Sequence, residues 1–254
     1  MERLKEKSYN VYMGKLNIVS GNILDYLDNK DLIVNSANKY MICGSGVCRA
    51  IYKMANKELL EDYCKKHYKE NMGTYEIRFS PGFDLGIDIL HIYCPKYYEY
   101  DDHKWAIEDL LFCYYKLILE AKNNMYKSII SVSLGTGIHG YKHNDIARQV
   151  VDRLDYLVKR YDIDFTLVLP NKDIKDLYIN ELSKIKIADD YLGRIEDTAE
   201  TLRHPNVVGY KKVSDEQIKR AKEILEITKE KQKKYSISDD DIRKILIDRY
   251  NNKE

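Results

Sequence analysis

Short apolar runs alternate with longer stretches of helical spacing along the chain, and this pattern predicts an α/β architecture with helices on both faces of one sheet. Residues 16–23 and 31–37 read as strands, the second an almost unbroken apolar run of the kind a strand buried on both faces requires. Cys43-Gly44-Ser45-Gly46 breaks the pattern, and beyond it Val47, Ala50, Ile51, Met54 and Ala55 share one helical face. Residues 75–79 and 87–93 are further expected strands. A long helix follows over 104–122, with Ile107, Leu110, Leu111, Tyr114, Ile118 and Ala121 on one side.

Residues 127–134 form the next expected strand. They lead into a second glycine loop, Gly135-Thr136-Gly137-Ile138-His139-Gly140, and then a helix capped by Asn144 with a stripe of Ala147, Val150, Val151, Leu154, Leu157 and Val158. Residues 165–169 close the sheet as its last strand, stopped by Pro170, and 173–184 form a last helix. The character of the chain then changes. Residues 185–254 are polar and carry two helix starts, the capping box Ser214-Asp215-Glu216-Gln217 and the run Ser238-Asp239-Asp240-Asp241. The organisation expected is therefore an α/β domain over 1–184 and a helical C-terminal extension over 185–254. The lysine-rich stretch 229–234 reads either as a solvated helix face or as an arm for a protein partner.

Composition narrows the function classes. With 42 Lys+Arg against 41 Asp+Glu, no strong field favours nucleic acid or an anionic membrane surface. At 44% hydrophobic and 33% charged, with 12 Gly and 4 Pro in 254 residues, the chain can bury a core. Five scattered cysteines form no C-x-x-C pair and read as reduced thiols of a cytoplasmic protein. The charged N-terminal residues have no apolar core of a signal peptide, and no apolar run is long enough to span a bilayer. No membrane association, metal or cofactor is expected.

The two glycine loops carry the chemistry. Each follows an apolar strand and leads into a helix, which places backbone N–H groups and positive helix ends around one anion. A phosphate or diphosphate site is the expectation, with glycine allowing close approach of backbone to phosphate. Neither loop is a Walker P-loop or a G-x-G-x-x-G dinucleotide fingerprint. Asn35 and Asn38, at the end of the buried strand, either bond a sugar or satisfy neighbouring loop backbone. Valine at Gly46 or Gly137 is expected to abolish ligand binding with the fold intact, by filling phosphate space and resisting the loop dihedrals.

Ile33-Val34-Asn35-Ser36-Ala37-Asn38, followed by Gly44-Ser45-Gly46-Val47 and a helix, resembles the macrodomain signature of a V-N-A-A-N strand end and a G-G-G-V loop. Gly135-Thr136-Gly137-Ile138-His139-Gly140-Tyr141 is similar to that family's other ligand loop, S-T-G-I-(Tyr/Phe)-G-Tyr, and the likeness extends in order from Leu16 to Pro170. The resemblance implies a three-layer α/β/α domain with a mixed sheet whose cleft binds ADP-ribose or a nucleotide built on it. By position, Ile23 borders the adenine pocket and Asn38 contacts the distal ribose. Gly44 to Val47 and Gly135 to Gly140 wrap the diphosphate, with Ser133 also among the ligand-binding residues, Ile138 against the diphosphate and Tyr141 at the rim beside His143. Family members that hydrolyse ADP-ribosyl links mostly position a water against the distal C1 carbon.

Three positions depart from the family. Asn22 replaces the acidic residue that recognises the adenine amino group, and its carbonyl can accept that hydrogen bond without charge. Cys48 stands where a hydrolase branch has an Asp that helps hold the water, so it is either core packing or a catalytic thiolate at a helix start. His139 replaces an aromatic, as a wall for the ribose or as a general acid or base. Asn38, Cys48 and His139 are thus the candidate catalytic residues. The implied activity is ADP-ribose binding with hydrolysis of ADP-ribosyl linkages, for instance on a modified protein. Two alternatives stay open: a non-catalytic reader or sponge of an NAD-derived nucleotide, and an antitoxin-like eraser whose C-terminal extension holds a protein partner. Nucleic acid is not favoured as a partner.

Overall fold

A computed structural model describes residues 14–186, together with residues 230, 233 and 238. Apart from residues 185, 186, 230, 233 and 238, the expected helical extension over 185–254 lies outside the described residues, including the helix starts at Ser214 and Asp239. The strands are β1 (Leu16–Ser20), β2 (Leu32–Ser36), β3 (Ile77–Ser80), β4 (Asp88–Ile92), β5 (Ser128–Val132) and β6 (Asp164–Leu169). The helices are α1 (Gly46–Met54), α2 (Lys57–His67), α3 (His103–Asn123) and α4 (His143–Tyr161), and a further helix covers residues 172–186.

The six strands form one sheet in the order β1-β6-β5-β2-β4-β3, parallel throughout except where β3 runs against β4. This is the mixed sheet expected. Residues 165–169 were expected to close the sheet, yet β6 lies inside it, hydrogen-bonded to β1 on one side and β5 on the other. Its near-continuous burial follows from that central place.

The two-residue period of each strand sorts its side chains between two helical layers. Ile33, Ile89 and Ile130 join Ile51, Tyr52 and Leu60 of α1 and α2 in one core cluster. Leu32, Val34, Leu90 and Ile129, one residue out of phase and equally buried, face the opposite layer, where α3 and α4 pack on each other. The result is a three-layer α/β/α sandwich.

β2 and β5 share only two residue pairs, Leu32 with Ile129 and Ile33 with Ile130. Beyond them β2 continues alongside β4 as far as Ser36, and β5 alongside β6 as far as Val132. The strands that follow β2 and β5 in the sheet lie on opposite sides of this seam, so the sheet opens a crevice at its carboxyl edge there.

Several local expectations are corrected. The first strand was expected to reach residue 23 but stops at Ser20: Gly21 has φ +138°, and Asn22 caps a 3-10 turn over Ile23–Tyr26 by accepting from the Leu24 N–H at 3.3 Å. Asn144 does not cap α4. The cap position is Lys142, with no side-chain bond, because the buried Tyr141 fixes the chain one residue earlier. Helix α2 was not foreseen. Its signal is present in Asn56, which caps the helix from φ +67°, and in Leu60 and Cys64 buried at a four-residue spacing.

His91 was read as a strand residue satisfied inside the fold. It is fully buried on β4, with Asn35 Nδ2 3.1 Å from Nδ1 and Ser80 Oγ 2.8 Å from Nε2. Asn35 Nδ2 can only donate, so Nδ1 accepts and Nε2 carries the proton toward Ser80. All five cysteines are free. Among the described residues no helix is long and apolar enough to cross a membrane, and no cluster of metal-ligating side chains occurs.

Burial pushes the His91 imidazole down from 6.5 to about 3. Between these values the unfolded chain binds one more proton than the folded one, so stability falls as pH falls through 6.5 and the loss continues down to about 3. His91→Gln, which removes the titrating group, is expected to flatten the fall in urea-unfolding free energy between about pH 6 and about pH 4 by about 1.4 kcal/mol per pH unit. Equal slopes for the two proteins would refute this.

Candidate functional site

The crevice deepens into a cleft of about 860 Å³ at the carboxyl edge of the sheet. Its floor is made where strands end: Gly21, Asn22 and Ile23 after β1, Leu169 and Pro170 at β6, Val132 and Ser133 at β5, and Ser36, Ala37 and Asn38 at β2. One wall is Gly44 to Cys48 with Ala50, and the other is Gly135 to His139 with His143. The two glycine loops therefore face one space.

The first loop delivers the start of α1 to the cleft. Ser45 occupies the cap position without a side-chain bond. The first-turn N–H groups of a helix have no intrahelical acceptor, so this uncapped end offers backbone donors at residues that line the cleft. Gly46 has φ +55°, and the direction a Cβ would take is open, so there the glycine serves the backbone conformation. Arg49 folds its Nε back onto the Gly44 carbonyl at 3.4 Å, holding a cation beside the loop.

The second loop is held from beneath. Gly135 has φ +72°, and a Cβ there would stand 2.5 Å from Cδ2 of Tyr141, whose hydroxyl donates to the Ala106 carbonyl at 2.9 Å. Tyr141, placed at the rim by sequence, is instead the core anchor of the loop and does not line the cleft. Gly140 also lies off the cleft, its open face toward Tyr98 and Tyr97. Gly137 differs from the expectation made for it: its φ is not in the left-handed region and a Cβ would meet nothing within 4 Å. Valine at Gly137 can act only by filling cleft space. Ile138 is 74% exposed and lines the cleft.

Both asparagines are committed within the protein. Asn38 Oδ1 accepts from the N–H groups of Tyr40 and Ile42 at 3.1 and 3.4 Å, and Nδ2 donates to the Ile42 carbonyl at 2.7 Å. That closes the turn before the first glycine loop and leaves one Nδ2 hydrogen, on a residue that lines the cleft. Asn35 is buried off the cleft; its amide faces His91 and its Oδ1 has no partner among the described residues.

The side chains of the cleft are uncharged. Among the described residues no Asp, Glu, Lys or Arg lines it, and the titratable groups there are Cys48, His139 and His143. Burial pushes the Cys48 thiol up, more than the Gly44 N–H at 3.3 Å from Sγ holds it down. The sulfur is therefore a protonated thiol at neutral pH, which corrects the thiolate alternative. Burial also lowers the His139 and His143 imidazoles below their usual value, so both are neutral. His139 Nδ1 lies 3.2 Å from the Pro95 carbonyl and the ring stands edge-on to Tyr93. His143, foreseen only as a rim residue, opens α4, and its Nδ1 lies 3.0 Å from the Tyr178 hydroxyl. Val168, Leu169 and Pro170 were missed as lining residues because only the insertion of β6 beside β1 brings them to the cleft.

A family profile described as Macro domain matches residues 34–150. A Macro domain-containing protein of Xanthomonas axonopodis pv. citri is 35% identical over 126 residues, covering 48% of this chain and 69% of the relative. An O-acetyl-ADP-ribose deacetylase of Salmonella typhimurium is 29% identical over 150 residues, 58% of this chain and 81% of the relative. Among solved structures, a mutant Oceanobacillus iheyensis macrodomain with ADPR superposes with a TM-score of 0.60 at 26% identity, covering 68% of this chain and 95% of that one. Sequence match, sheet order and paired glycine loops agree: the chain belongs to the Macro domain family.

Proposed function

We propose that this protein binds ADP-ribose, or a nucleotide built on it, in the cleft between the two glycine loops. One observation carries the reading: two helix starts without side-chain caps border a cleft whose described lining residues include no carboxylate. Backbone N–H groups and helix dipoles bind a diphosphate without a cluster of basic side chains, and a carboxylate would repel it. The O. iheyensis macrodomain solved with ADPR, which shares this fold, supports the choice of ligand. Within the cleft, Asn22 and Ile23 take the adenine, Gly44 to Val47 and Ser133 to Ile138 the diphosphate, and Asn38 with His139 the distal ribose.

A second reading, hydrolysis of an ester or ADP-ribosyl link at the distal ribose, is supported by the relatives named O-acetyl-ADP-ribose deacetylase. No strong base stands in the cleft for it. A protonated Cys48 and a neutral His139 tied to Pro95 leave positioning of a water as the means available. The primary function is binding, with slow turnover.

Calorimetry with ADP-ribose tests the first reading. Gly137→Val is expected to abolish the binding heat with an unchanged melting temperature, whereas Gly135→Ala is expected to cost about 2 kcal/mol or more of stability through clash and strain. Wild-type protein that takes up no ADP-ribose would end the reading. For turnover, free ADP-ribose is followed chromatographically from O-acetyl-ADP-ribose. Cys48→Asp, which sets a carboxylate beside the Gly44 N–H, is expected to raise the rate about a hundredfold while weakening ADP-ribose binding. A Cys48→Ala protein that loses all turnover would restore the sulfur as a reacting group.

A further inference from the structure

The ring of His139 is committed at one nitrogen and unpartnered at the other. Its Nδ1 lies 3.2 Å from the Pro95 carbonyl, and a carbonyl only accepts, so Nδ1 carries the ring hydrogen. Burial keeps the imidazole neutral, against the pull of that carbonyl toward the protonated form. A neutral ring protonated at Nδ1 has a lone pair and no hydrogen at Nε2. Among the described residues Nε2 has no partner, and it is not one of the two buried side-chain atoms there that lack one, Asn35 Oδ1 and Asp162 Oδ1. Nε2 is therefore open to solvent, on a residue that is only 6% exposed and lines the cleft.

The place of this acceptor within the cleft follows from the sheet. The segment after β4 holds the residue: besides the Pro95 bond, the Tyr97 N–H donates to the His139 carbonyl at 2.8 Å, and Tyr93 stands edge-on to the ring. β4 lies four strand spacings from β1, about 19 Å, and Asn22 and Ile23 follow β1. A nucleotide whose adenine lies at Asn22 and Ile23 therefore brings its far end, the distal ribose, to His139. The group that meets Nε2 must be a donor. An ionised diphosphate oxygen has no hydrogen to give and would set its own lone pairs against the ring, whereas a ribose hydroxyl has one.

Resting on the binding reading above, we propose that His139 is a specificity-determining acceptor, its Nε2 taking the hydrogen of a distal-ribose hydroxyl, so that the cleft distinguishes nucleotides that carry this hydroxyl from those that end at the diphosphate. The Pro95 carbonyl is the positioning group. With the hydrogen on Nε2 instead, the lone pairs of Nδ1 and of the carbonyl oxygen would face each other at 3.2 Å, so the accepting tautomer is the one the protein holds. The aromatic residue that the family resemblance implies at this position would wall the ribose without accepting from it if it were a phenylalanine; the imidazole does both.

The test uses full-length protein labelled with 15N-histidine, with ADP-ribose and ADP as probes. Long-range 1H–15N spectra are expected to show His139 protonated at Nδ1 and bare at Nε2, and ADP-ribose is expected to move the Nε2 resonance toward the protonated range by more than ADP does. By calorimetry, His139→Phe is expected to bind ADP-ribose about fivefold more weakly while binding ADP within about twofold of wild type. His139→Gln, which brings a carbonyl acceptor to the place of Nε2, is expected to recover most of the loss. A ring with a packing role alone would weaken both ligands alike on substitution, and that result overturns the proposal. So does a wild-type His139 protonated at Nε2, or ADP-ribose that binds without moving the Nε2 resonance. Should His139→Phe not fold, the wild-type spectra still decide. If wild type takes up neither ADP-ribose nor ADP, the binding reading has failed and the role of His139 falls with it, whereas uptake of both with the Nε2 resonance unmoved removes only the role of His139.

Discussion

The structure turns on the parting of β2 and β5 after two residue pairs. The inner strands of such a sheet are stable when paired on both sides and covered on both faces, and among β6, β5, β2 and β4 the pairing is broken where β2 and β5 diverge. The backbone beyond Ile33 and Ile130 must be satisfied by loops, and the chain does so on each side with a tight turn. The Asn38 amide ties Tyr40 and Ile42 on one side, and Tyr141 under Gly135 ties the second loop on the other. The turns that close the wound are the turns that form the cleft.

This origin explains how the cleft handles an anion. Two helices start at its edge because each glycine loop must turn the chain from strand to helix, and each helix starts with donors that no side chain satisfies. Charged side chains would add attraction, but here they would sit beside a buried thiol and two desolvated imidazoles, with a desolvation cost of their own. The neutral chain as a whole, with its near equality of acids and bases, is consistent with recognition by fixed dipoles. Such a site selects for shape and donor geometry more than for charge.

Much of this was legible in the sequence because it is local. Apolar runs ending in Asn35-Ser36-Ala37-Asn38 and Leu134-Gly135 announce buried strands that stop at loops, and the helical stripe from Val47 places Cys48 at a helix start. What was missed depends on contacts distant in sequence. Tyr141 looks like a rim residue until Ala106, 35 positions away, is seen to accept its hydroxyl. His143 gains meaning only through Tyr178, again 35 positions away, and Leu169 reaches the cleft only because β6 inserts between β1 and β5. Asn38 shows the same limit: its bonds to the Tyr40 and Ile42 backbone could be foreseen as one of two options, and only the folded turn shows that they form while one Nδ2 hydrogen is left over.

The polarity of His139 follows from the same economy. A neutral imidazole is ambiguous in solution, able to donate or accept at either nitrogen, and an ambiguous group contributes little to discrimination. His139 meets a partner that removes the ambiguity, the Pro95 carbonyl, which can only accept, while His143 stands 3.0 Å from the Tyr178 hydroxyl. Burial keeps both rings neutral, so the polarity persists at the pH where their charge would otherwise change. Reversing the His139 ring would leave the Pro95 carbonyl without this partner, at a cost of about 1–3 kcal/mol. The protein core thereby fixes the hydrogen-bonding polarity of one ring in a cleft whose described lining residues include no Asp, Glu, Lys or Arg.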